Sequence, residues 1–172
     1  MEVIIEFEGF DLKNKFIFKE FCILFLKDNH WLNFFVKSDR PFKKLSRQDK
    51  QTVKFCQNFI HKIFWRAGHV DQRFLIPGIK LMLEEHCIVY TKGRNKKQIL
   101  EDYLGNSVRV VNVEDLEIFG SQAKKKIETD ICSLRFHKGN HHCAVHKALF
   151  LSEQLNHSLE YKLFPNSSKP PV

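Results

Sequence analysis

The sequence predicts an α/β domain on a mixed sheet, with three antiparallel strands first, alternating β and α units after them, and helices on both faces. Three observations carry this. Residues 3–37 contain three apolar runs of strand length parted by polar turns. Residues 46–86 then change to helical spacing. From residue 87 onward, short β-rich runs at 87–91 and 108–113 alternate with amphipathic segments.

Taken in order, residues 3–10 form a first strand that Gly9 ends, with Glu6 and Glu8 projecting to one face. Residues 16–26 are nearly continuous apolar, as a central strand buried on both faces requires, and Lys19 and Glu20 are their only charges. Residues 31–37 make a third strand. After a loop containing Pro41, Ser46 and Asp49 have the spacing of an N-cap and an acidic first turn. The helix behind them carries Val53, Cys56, Phe59, Ile60 and Ile63 on its inner side. A second helix spans about 70–86, interrupted near Pro77 and Gly78. Strand 87–91 turns at Lys92-Gly93 into a basic helix, 95–104, with Ile99, Leu100 and Leu104 inward. Strand 108–113 and a charged connector at 123–128 precede a last helix that runs to about Leu159. Residues 164–172, rich in Pro and Ser, form a disordered tail, leaving a single domain over 1–163.

Composition narrows the function classes. A chain of 172 residues with 43% hydrophobic content and 17 Phe fills one core. A net charge of +8 favours polyanionic partners, through phosphate neutralisation and counterion release. No apolar run nears the ~20 residues a membrane helix needs, so no membrane partner is expected. The acidic start lacks the basic and small-residue marks of a secretory signal, which points to an intracellular protein, cytoplasmic or nuclear. Five cysteines in no bridge-like pattern fit a reducing compartment.

The densest chemistry lies at 132–148. Cys132, His137 and Cys143 form a C-x4-H-x5-C skeleton, and His141, His142 and His146 stand beside it. Zinc prefers thiolate and imidazole and takes four ligands in a structural site, so a fourth must come from elsewhere. Cys22, Cys56 and Cys87 lie in apolar periodic segments and are core thiols. Three basic clusters, Lys43-Lys44, Arg94 with Lys96 and Lys97, and Lys124-Lys125-Lys126, are each an ordinary solvated face. Together they form a phosphate-tracking surface, on which Trp31, Trp65 or Tyr90 would stack bases if exposed.

The element order, the acidic first strand and the histidine-bearing last helix together resemble the RNase H-like fold of DEDDh exonucleases. That family's first strand carries an acidic-x-Glu pair, matched by Glu6 and Glu8. Its last helix carries His-x-Ala-x-x-Asp-Ala, matched by His142, Ala144 and Ala148, but Lys147 stands where the metal-binding aspartate belongs. The region of the family's middle aspartate is here the basic run at 91–97. Two-metal catalysis needs several carboxylates around two cations, and lysines at those positions oppose it. Glu6 and Glu8 are therefore expected to be a relic acidic pair rather than catalytic residues.

With a different site, the same scaffold resembles the Maelstrom domain, an RNase H-like module of small-RNA silencing that holds a Glu-Cys-His-Cys zinc constellation. Cys132, His137 and Cys143 match its last three ligands in order. Glu20, ahead of an apolar run, a turn and a second strand, matches its glutamate. The resemblance implies a zinc staple between last helix and early strands, RNA as partner, protein partners in a silencing pathway, weak ribonuclease activity and kinship with transposon-related proteins. Glu20 also admits a plainer reading, a strand-end glutamate paired with Lys19 or another cation, since a carboxylate among Phe16–Leu24 is costly unless paired or metal-bound. His142, His146 and Glu8 are alternative ligands. The expectation is a zinc-containing domain that binds single-stranded RNA without the standard nuclease centre. The alternatives are a dead nuclease fold serving as a protein-interaction scaffold and a residual nuclease.

Overall fold

The structure, a computed structural model, describes residues 1–13, 15–83, 86–116 and 143–163. The connector at 123–128 and the tail at 164–172 lie outside these residues.

Strands β1 (Glu2–Leu12), β2 (Lys15–Phe25) and β3 (His30–Lys37) form the expected antiparallel meander. Helix α1 (Arg47–Phe55) follows, capped by the Ser46 hydroxyl, which accepts from the Asp49 amide. A two-residue strand β4 (Val70–Asp71) leads into α2 (Gln72–Met82). Then come β5 (Cys87–Thr91), α3 (Arg94–Leu104), β6 (Val108–Asn112) and α4 (Ala144–Leu163). The six strands lie in the order β4-β3-β2-β1-β5-β6, and the pairs β3–β4, β1–β5 and β5–β6 are parallel. This is the mixed sheet that the strand order predicts.

Alternation along β1 and β2 separates two cores. Val3, Ile5 and Phe7, with Phe21 and Ile23, face α2 and α3 and bury Ile79, Leu100 and Leu104. Ile4, Cys22 and Leu24 face α4 and bury Ala144, Ala148 and Leu151. Glu6, Glu8 and Glu20 share this second face, because Glu6 pairs with Cys22 and Glu8 with Glu20 across the strands. Ala144 and Ala148 have no side chain beyond Cβ, which lets α4 lie close over the acids.

The register slips after Glu8, where Gly9 pairs with Phe18 and Lys19 is left without a partner on β1. Only glycine fits at position 9, since a Cβ there would lie 2.2 Å from the Ile17 carbonyl oxygen. Lys19 and Glu20, neighbours on β2, find different partners. The buried Lys19 ammonium donates to the carbonyls of Val36 at 2.7 Å, Trp65 at 3.0 Å and Ala67 at 2.6 Å, and to the Ser38 hydroxyl at 3.2 Å. Lys19 therefore ties β2 to the end of β3 and the loop before β4. The Lys19–Glu20 ion pair does not form.

Two helices depart from expectation. α1 ends at Phe55 and widens into a π turn over Cys56–Ile60, in which the His61 amide donates to the Cys56 carbonyl. The wider turn swings Phe59 out of the inner stripe, and it is 70% exposed. α2 runs unbroken through Pro77, because Leu75 and Ile79 on either side are buried against the sheet. Of the proposed stacking residues, Trp65 is buried, and its indole donates to the Arg40 carbonyl at 2.9 Å. Trp31 and Tyr90 are half-buried against the α4 core.

Burial pushes the Lys19 ammonium down to about 8 from 10.5. Lys19→Met leaves its carbonyl oxygens unsatisfied and is expected to cost about 3 kcal/mol in urea unfolding at pH 7. The unfolded chain holds the Lys19 proton up to about 10.5, the folded chain only to about 8. The stability of wild type relative to Lys19→Met should therefore rise between those two pH values. A flat difference across that window would contradict the burial.

Candidate functional site

The site lies where the parallel strands end. Such C-terminal edges, flanking a change in strand direction, are where open α/β sheets place their ligands. β1 carries Glu6 just beyond the last residue it pairs with β5, so its carboxylate meets the turn into α3. Oε1 of Glu6 accepts from the Lys92 amide at 2.9 Å and the Thr91 hydroxyl at 3.3 Å. The turn is held in place from the other side, where the Gly93 amide donates to Asn112 Oδ1 at 2.8 Å. Gly93 has φ 104°, a conformation that glycine enters without strain.

Two lysines approach from opposite faces of the sheet. Lys96, in the first turn of α3, pairs with Glu6 Oε2 and lies 3.9 Å from Glu8 Oε1. Its ammonium also stands 5.1 Å from the Phe7 ring centroid, a favourable placement for a cation. Lys147, in the first turn of α4, pairs with Glu8 Oε1. The two acids are buried, and two ammonium groups occupy the space between them and the helices. Two carboxylates and two ammoniums balance in charge. A divalent ion would have to displace both lysines to reach the carboxylates.

Beside this centre lies a pocket of about 320 Å³ lined by Glu6, Lys92, Lys96, Lys147, Phe150 and Leu151. That is the lower size range of small-ligand sites. Lys92 is exposed, and among the described residues its ammonium has no carboxylate partner. The pocket thus combines an uncompensated cation with an apolar wall. Lys92 and Phe150 escaped the sequence reading. Lys92 follows strand 87–91 directly, and that placement at a strand's C-terminal end was the signal for it.

Glu20 is fully buried, and its contacts explain how. Oε2 accepts from the Ala144 amide at 3.0 Å and so caps α4, while Oε1 accepts from Asn33 Nδ2 at 3.1 Å. Cys143 Sγ lies 3.7 Å from Glu20 Oε1. Two ligand atoms of a tetrahedral zinc, one sulfur and one oxygen, stand about 3.5 Å apart. The donor types and their separation fit one edge of such a site. Cys132, His137 and His142 lie outside the described residues, and among the described residues no group of three His, Cys, Asp or Glu is placed to hold a metal. His146 is buried on α4. Burial pushes the Cys22 thiol well up, and the Glu20 and Glu6 carboxylates push it further, so it stays a protonated core thiol.

The basic clusters divide. Lys43 and Lys44 are exposed on a short turn, and Arg94 is exposed at the start of α3. Lys97 lies 3.8 Å from Glu101 along the helix, and Lys96 belongs to the centre rather than the surface. Lys124, Lys125 and Lys126 lie outside the described residues.

Lys96→Met leaves Glu6 charged and buried, and should cost about 3 kcal/mol in urea unfolding. The double variant Glu6→Gln/Lys96→Met should recover most of that loss. Additive losses in the two single variants would show that the pair is not coupled.

No protein-family model matches the chain, and no curated protein matches it. Among solved structures, the chain resembles the exonuclease domain of Mopeia virus, in a form fully depleted of manganese. The TM-score is 0.60 at 15% identity, over 99% of this chain and 88% of that one. At that identity the likeness concerns the fold alone, a mixed α/β sheet.

Proposed function

We propose that the chain is a binding domain for single-stranded RNA, built on an exonuclease-like fold whose acidic centre has become a lysine–carboxylate centre. The observation that carries this is the pairing of Lys96 with Glu6 and of Lys147 with Glu8. Phosphoryl-transfer centres of the two-metal kind need carboxylates free to hold cations. Here the protein supplies its own cations at those carboxylates. Lys92 adds a further positive charge to the pocket lining for a phosphate, and the half-buried Phe150 adds an apolar part of the lining for a base.

Zinc belongs to the same proposal. Glu20 and Cys143 would hold it together with Cys132 and His137, and the metal would supply folding energy by fastening α4 to β2. Four protein ligands leave no open position for water, which makes the role structural. The Maelstrom resemblance extends the reading to RNA silencing and its protein partners.

The structural neighbour's name supports a second reading, a manganese-dependent exonuclease. The lysines at Glu6 and Glu8 weigh against it. A digestion assay of single-stranded RNA with Mn²⁺ decides between the two, since products that vanish in Glu6→Gln would favour the nuclease.

The binding proposal is tested by fluorescence anisotropy with a labelled RNA oligomer across a salt series. Log affinity should fall linearly with log salt, by about 0.7 for each phosphate neutralised on a single strand. Lys92→Gln should lower that slope by about one phosphate, ~0.7. Binding that ignores salt would sink the proposal. For zinc, the purified protein should carry one equivalent, and Cys143→Ser should lose both the metal and several degrees of melting temperature. A protein free of zinc and a variant with unchanged melting would dismiss the staple.

A further inference from the structure

Residues 43–66 concentrate the chain's charge. They hold seven Lys and Arg against one acid, Asp49, a net +6 of the chain's +8. The same segment carries three of the most exposed aromatic side chains, Phe55 at 56%, Phe59 at 70% and Phe64 at 59%. Phe55 and Phe59 stand as a pair, with ring centroids 5.5 Å apart and planes tilted by 39°. The two are four residues apart, a spacing that places side chains together on one helix face, and the π turn over Cys56–Ile60 holds Phe59 on the exposed side. Bare phenyl rings on a monomer's surface cost solvation, and these sit among cations rather than at the edge of the core.

From this segment we infer that the exposed Phe55–Phe59 pair is a base-stacking platform for an unpaired nucleic-acid strand, in a stretch of sequence that also carries Lys50, Lys54, Lys62 and the exposed Phe64. Phenyl faces take any base, and the surrounding ammoniums take the phosphates between them. A strongly cationic surround repels basic partners and favours a polyanion. His61, closing the π turn, lies 3.1 Å from the Gly9 carbonyl, next to Glu8 in β1. This inference rests on the single-strand binding proposed above and names a second surface for it.

The test compares wild type, Phe55→Ala/Phe59→Ala and Lys92→Gln in anisotropy titrations with a uridine 12-mer RNA and a blunt RNA duplex of equal length. Both rings are exposed, so the double variant should melt at the wild-type temperature. It should bind the 12-mer at least about 10-fold more weakly, as loss of base stacking implies, with the salt slope unchanged. Its duplex affinity should not change, because paired bases offer no free face. Equal 12-mer affinity in variant and wild type would overturn the platform while leaving the binding proposal standing. No 12-mer binding by wild type would overturn both. A wild-type dimer in sedimentation that Phe55→Asp/Phe59→Asp disperses, with 12-mer affinity unchanged, would instead assign the rings to contact between two copies and overturn the inference.

Discussion

Glu6 and Glu8 lie two residues apart on one face of β1, buried beneath α4, and two neighbouring buried carboxylates repel each other unless something positive comes between them. In this protein the positive charge is covalent. Lys96 brings it from α3 on one side of the sheet and Lys147 from α4 on the other, so the two helices are tied to the strand through its acids. Much of the local architecture serves that contact. Ala144 and Ala148 let α4 approach, Gly93 turns the chain into α3 at the right height, and Asn112 fastens that turn. Breaking one pair strands a buried charge, which is far more costly than an exposed salt bridge is worth.

Two other buried charges on β2 show how the same strand solves the same problem differently. Glu20 faces α4 and satisfies itself on a helix N-terminus and an asparagine amide, with Cys143 beside it. Lys19, one residue earlier and without a partner on β1, finds carbonyl oxygens at the end of β3 and in the loop before β4. The alternation of faces along the strand thus separates two charges that the sequence places side by side. It also leaves Glu20 available to a second ligand set, which a lysine partner would have closed.

The sheet was largely legible in the sequence because alternation and apolar runs fix strand faces directly. Glu6 and Glu8 on one face, the buried run of β2, and Ile99, Leu100 and Leu104 inside α3 all follow from period alone. The resemblance pointed to lysine at position 147 and to the basic run at 91–97, but not to which lysine of that run meets Glu6. Pairing with Glu6 depends on where α3 begins relative to β1, and spacing along the chain cannot fix that. Phe59 was misplaced for a related reason, since periodicity assumes an unbroken α-helix and the π turn at Cys56–Ile60 shifts the phase. Trp65 drew attention as a stacking residue because it is aromatic beside cations, yet its indole N–H bonds the Arg40 carbonyl within the core. The phenyl rings that do face solvent were passed over as core.

The lysine–carboxylate centre makes a direct statement about divalent ions. Titration of Mn²⁺ into the protein, followed by calorimetry in parallel for wild type and Glu6→Gln, tests it most directly. The expected result is no saturable Mn²⁺ site at Glu6 and Glu8, with indistinguishable traces for the two proteins. Stoichiometric binding to wild type that disappears in Glu6→Gln would contradict it, and would mean that Lys96 and Lys147 yield to metal.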